Sequence, residues 1–234
     1  MSPDTGGGQR KRGARFFGVI VIIVLLILLP SYFLLTSREQ PAAASGAMTL
    51  SPTVPLIAPG QTQNYTVLIL TEPSSGTPVS TSLTASAPAG LSFDLADTTV
   101  PAQATSNVPV VIHASPSIAP GTYQVSVKET EGSDVKSQSF TVKVVTTLVV
   151  MEDLAFVPQY VNVTAGSTIY WLNLDSQIGC CDPGFHDVNF SALGVESPSL
   201  ARLGTYSYTF QNPGDFYYIC SIHTFMTGEV RVSS

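Results

Sequence analysis

The stretch Tyr217–Val232, YYICSIHTFMTGEVRV, sets Cys220, His223 and Met226 at a C-x2-H-x2-M spacing between two runs of strand-forming residues. A thiolate, an imidazole and a thioether in one short loop make a soft donor set, and softness of that kind selects copper. One cysteine sulfur, two imidazole nitrogens and a weak, long methionine bond constitute a mononuclear electron-transfer copper centre. This loop offers three of those four donors. Taken singly, each residue is ordinary, since methionine often fills core gaps and cysteine is often a small buried hydrophobe. Their spacing on a β-type background gives them weight together.

The fourth donor should be a histidine upstream, and the chain holds only three histidines. His186 lies in GFHDVNF, within the same C-terminal module. His113 lies in ATSNVPVVIHASPS, whose alternation already accounts for it as one strand position of a different module. His186 is therefore the expected second imidazole. The same count speaks against catalysis: a copper nitrite reductase or multicopper oxidase needs further histidine-rich sites, and only His113 would be left for them. The chain is expected not to be an enzyme.

Residues from about 147 to 234 resemble the cupredoxins, the blue copper domains of plastocyanin and amicyanin type, and the short ligand loop is most similar to that of amicyanin. The resemblance extends to Val163, Gly166, Ile169, Trp171 and Asn173, like the strand before the first ligand histidine. It extends also to Gly204, Tyr208, Thr209, Phe210, Gly214, Tyr217 and Tyr218, like the hairpin entering the cysteine. The resemblance implies a Greek-key β-sandwich holding one type 1 copper ion. In it His186, Cys220 and His223 would be equatorial ligands and Met226 the axial one. It also implies that His223, ringed by Ile222, Phe225, Pro183 and Phe185, is the port at which a redox protein or membrane oxidoreductase docks. Asp187 departs from the family, which commonly has asparagine directly after the first ligand histidine. A carboxylate there would favour the oxidised metal.

The second departure is DSQIGCCDPG, which brings Cys180 and Cys181 close to His186. Three readings stand: oxidation to each other or to another chain, buried free thiols, or extra copper donors. A binuclear copper site fits poorly, because the terminal loop holds only Cys220. Copper delivery, storage or sensing is the alternative to electron transfer, although such proteins more often display exposed methionine or histidine clusters.

The remaining chain reads as a support for this module. Residues 1–15 are a basic tail, and 16–35 form a mostly apolar run of 20 residues. As a helix at about 1.5 Å per residue the run would span roughly 30 Å, a bilayer core. Basic residues cluster before it, so a retained transmembrane anchor with the remainder outside the cytoplasm is expected, a cleaved signal peptide being the competing reading. Residues 36–47 read as a linker. From 48 to 146, short alternating runs separated by Pro- and Gly-rich turns predict an immunoglobulin-like β-sandwich acting as a spacer. The expected fold is thus all-β behind one N-terminal transmembrane helix. Residues 151–234 carry eight acidic and two basic side chains. That balance repels phosphates, excludes nucleic acid as a partner and suits a redox partner with a basic rim.

Overall fold

Alternation at a period of two builds this molecule, because successive side chains of a strand point to opposite faces and only one face of each sheet is buried. The computed structural model describes residues 47–71, 79–96, 98–100, 105–131, 134–176 and 182–234. Nine strands come first: β1 (Ala47–Ser51), β2 (Leu56–Ile57), β3 (Thr62–Thr71), β4 (Val79–Ser86), β5 (Leu91–Leu95), β6 (Thr98–Val100), β7 (Thr105–Ala114), β8 (Gly121–Glu131) and β9 (Asp134–Val144). They form one sheet ordered β1-β3-β7-β5 and another ordered β2-β9-β8-β4-β6. In β7, Val108, Val110, Ile112 and Ala114 turn inward against Leu68, Leu70, Val125, Val127 and Val142. His113 falls on the outer face. There Nδ1 lies 2.9 Å from Thr62 Oγ1 and Nε2 lies 2.9 Å from Asp94 Oδ2, so its ring is engaged by the strands on either side.

Nine more strands follow: β10 (Thr147–Glu152), β11 (Ala155–Val157), β12 (Tyr160–Thr164), β13 (Ser167–Asn173), β14 (Asn189–Phe190), β15 (Val195–Glu196), β16 (Thr205–Phe210), β17 (Gly214–Ile219) and β18 (Thr227–Ser233). Their sheets are ordered β11-β10-β13-β16 and β12-β18-β17-β14-β15, with β10 parallel to β13 and β12 parallel to β18. Between them lies an aromatic core. Trp171 and Tyr218 meet edge to face with centroids 5.6 Å apart, and Phe190 packs on both. Each such pair adds about 0.5–1.5 kcal/mol beyond the area it buries. Tyr218 finds room because its cross-strand neighbour is Gly228, where a Cβ would come within 2.2 Å of the phenol ring.

A smaller cluster joins the two pairs of sheets. Leu56, Ala58, Tyr65 and Val145 pack with Leu148 and Leu172 across the chain connection, and the Leu56 amide donates to Tyr65 Oη at 3.0 Å. Gly46–Ser234 form one compact unit. A cleft of about 620 Å³ opens along this junction beside Lys143 and Tyr170, and none of its lining residues belongs to the histidine–cysteine cluster described below.

The expectation of an N-terminal transmembrane helix is corrected. Among the described residues no helix is long and apolar enough to cross a membrane. Among the described residues the single helical element is the 3-10 turn Ser191–Leu193, three residues where a bilayer needs roughly 20. The anchor expected over 16–35 lies outside the described residues, as do the basic tail and all but the last residue of the linker. The fold class is all-β. The membrane-anchored architecture, and the single-pass location outside the cytoplasm that followed from it, are withdrawn.

Candidate metal centre

Three loops at one end of the second pair of sheets build the site. The first leaves β13 at Asn173, which is fully buried and uses its whole amide. Nδ2 donates to the carbonyls of Gly184 and Leu200, each at 2.8 Å, while Oδ1 accepts the Asp175 amide at 2.9 Å. Asn173 thereby fixes the chain on both sides of His186. The second loop is Asp182–Asp187. Gly184 adopts φ +70°, and a Cβ there would lie 2.0 Å from the Ser176 carbonyl oxygen, so the backbone approach requires glycine. His186 follows, fully buried, with its amide and carbonyl paired to Leu200 at 3.1 and 2.7 Å.

The third loop connects β17 to β18. The Cys220 amide donates to the Met226 carbonyl at 3.0 Å and the Met226 amide to the His223 carbonyl at 2.8 Å, closing the turn on itself. Asp187 ties the second and third loops together, its Oδ1 accepting the Ser221 amide at 2.5 Å. This bond is what the carboxylate expected near the metal does here: it is spent on loop-to-loop contact.

These loops bring three donors together. Cys220 Sγ lies 3.7 Å from His186 Nδ1 and 3.8 Å from His223 Nδ1, and the two Nδ1 atoms are 3.2 Å apart. Cys220 is fully buried and His223 is 12 % exposed, so the cluster sits just beneath the surface. Met226 is buried in the same core cluster as Cys220. The separations suit a soft metal: nitrogen and sulfur donors about 2.0–2.3 Å from a common centre, spread at 110–120°, lie about 3.3–3.8 Å apart. His113 is held in the other pair of sheets and takes no part. Cys180 and Cys181, expected close to His186, lie outside the described residues.

Sequence reasoning missed the groups on the far side of both rings. His186 Nε2 lies 2.8 Å from Asp175 Oδ2, and His223 Nε2 lies 2.6 Å from Asp182 Oδ2. Asp182 also accepts the Gly184 amide at 2.8 Å, and that bond, with His223 beside it, holds its carboxyl below the usual carboxylate range. With a carboxylate at each Nε2, both ring protons belong there and both Nδ1 lone pairs converge on the sulfur. Beside His223 the Phe225 ring is exposed, its centroid 6.1 Å from that of His223, and Phe185 and Ile222, each next in sequence to one of the two histidines, are exposed as well.

The second pair of sheets thus carries a two-histidine, one-cysteine cluster able to hold a metal ion. Residues 142–233 match the copper binding proteins of the plastocyanin/azurin family. Amicyanin-alpha of Methylorubrum extorquens is 36 % identical over 77 residues, which are 31 % of this chain and 59 % of that protein. The chain thus spans somewhat over half of that curated relative. Solved amicyanin structures, among them a Cu(I) variant and an oxidised variant, are 26 and 27 % identical; each match covers 37 % of this chain and 81 % of the other, with a TM-score of 0.33.

Proposed function

We propose that residues 147–234 carry single electrons between redox partners through one type 1 copper ion held by His186, Cys220, His223 and Met226. Residues 48–146 would be a separate immunoglobulin-like spacer. The observation that carries the reading is the convergence of two imidazole Nδ1 atoms and one buried thiol within 4.8 Å of one another. Copper would supply the one-electron couple. The chain would supply rigidity: each donor stands on a loop tied to a sheet by backbone or buried side-chain hydrogen bonds, so little rearranges when the charge changes. Met226 would be the fourth donor: its carbonyl accepts the Cys220 amide, and its side chain is buried in the same core cluster as the thiol. The apolar rim around His223, in a module of net charge near −6, suits brief docking of a partner with a hydrophobic centre and a basic edge.

The test is reconstitution of the full chain with Cu(II). An intense visible thiolate-to-copper band and narrow hyperfine splitting are expected, both lost in Cys220→Ser and both kept in His113→Ala. A colourless protein with an ordinary tetragonal signal would refute the type 1 assignment. Rapid handover of copper to an apo-acceptor, together with redox inertness, would instead favour delivery or storage.

A further inference from the structure

The structure assigns Asp175 and Asp182 as positioning residues: each clamps the outward nitrogen of one imidazole, turns that ring's Nδ1 toward Cys220, and biases the bound metal toward Cu(II). The assignment deepens the copper reading above and rests on it. Both rings have the same polarity. Their Nδ1 atoms face the thiol, and their Nε2 atoms meet carboxylate oxygens at 2.8 and 2.6 Å.

The inner clamp is itself held in place. Asp175 is 8 % exposed, and its two oxygens accept the amides of Asp153 and Leu154 at 2.8 and 3.1 Å. Those two residues form the β10–β11 turn with φ of +53° and +60°. Two successive non-glycine residues in the left-handed region are strained, and such strain gathers at functional sites. Here the carboxylate that receives the turn's amides also receives the His186 ring. The outer clamp, Asp182, is fixed through the Gly184 amide at the rim of the site.

A carboxylate accepting the Nε2 proton makes Nδ1 a stronger donor and adds negative charge near the metal. Both effects favour the more highly charged copper state. Asparagine in either place removes the charge and keeps one of the two acceptor oxygens, which can still receive the Nε2 proton, while the backbone amide bonded to the other oxygen loses its acceptor.

The experiment uses the full chain and its D175N, D182N and D182A forms, with D94N as a remote control. Cu(II) and Cu(I) affinities are measured by chelator competition, midpoint potentials by voltammetry, and histidine tautomers by long-range nitrogen–proton correlation in the copper-free protein. D182N and D175N are each expected to lower the Cu(II):Cu(I) affinity ratio about tenfold, a rise of about 59 mV for a one-electron couple. D94N should change neither. D182A should convert His223 from the Nε2–H form to a mixture. An unchanged potential in D182N overturns the assignment; Asp182 is at the rim, so this holds even where D175N fails to fold. If the parent protein takes up no thiolate-bound copper, the copper reading fails separately. The tautomer measurement then decides the clamp by itself, rings without a fixed Nε2–H overturning it.

Discussion

Gly184→Ala isolates the backbone approach that seats His186. Two penalties are expected, and a second glycine separates them. Gly194 has φ +64°, close to the +70° of Gly184, but a Cβ at Gly194 meets nothing within 4 Å. Gly194→Ala should therefore show only the left-handed backbone cost, about 1–2 kcal/mol. At Gly184 the new methyl would sit 2.0 Å from a backbone carbonyl oxygen, well inside any tolerated contact, so the loop has to move. Movement breaks the Asn173–Gly184 bond and the Gly184–Asp182 bond, and leaves a buried Asn173 amide short of one acceptor. An unsatisfied buried group costs about 1–3 kcal/mol. The total for Gly184→Ala is then about 2–5 kcal/mol. Urea unfolding of the copper-free protein measures both variants, and copper titration should show Gly184→Ala alone losing affinity. Equal destabilisation of the two variants, within about 0.5 kcal/mol, would refute the reasoning.

Burial pushes the Tyr218 hydroxyl up to about 12, so the folded state resists ionisation that the unfolded chain accepts near pH 10. Stability from this group is intact below pH 10 and falls as pH rises from 10 to 12, by about 2–3 kcal/mol; Tyr218→Phe should flatten that part of the stability profile, and identical alkaline profiles would speak against it. Asp187→Ala removes the acceptor of the Ser221 amide and should cost about 1–2 kcal/mol and broaden the copper spectrum, while Asp187→Asn restores both. Trp171→Ala should cost about 3–5 kcal/mol in urea unfolding, since its indole is fully buried among Phe190, Tyr206 and Tyr218. His113→Ala should leave copper stoichiometry at its parent value by metal analysis.

Local rules made part of this molecule legible from its residues alone. Period-two alternation places Val108, Val110 and Ile112 inside and turns His113 out, and no distant contact is needed to see it. The cysteine, histidine and methionine of the terminal loop are bonded to one another within seven residues, so their spacing carried their association. His186 required only that the second sandwich close on itself. The apolar run at 16–35 illustrates the opposite case: hydropathy reads the same for any apolar stretch, and no helix among the described residues supports the anchor inferred from it.

Tertiary structure alone decided what stands behind the donors. Asp175 meets His186 across 11 residues and the β10–β11 turn across 22 and 21, while Asp182 meets His223 across 41. Before folding, these were four acidic or histidine side chains among many, and Asp187, the carboxylate nearest a ligand in sequence, was the natural suspect. In the folded chain Asp187 holds an amide instead, and the rings belong to Asp175 and Asp182. The physical reason is directional. Strand period fixes which face a side chain takes, whereas the nitrogen a ring presents, and the oxygen that meets it, depend on three loops converging from β13, β17 and the Asp182–Asp187 segment.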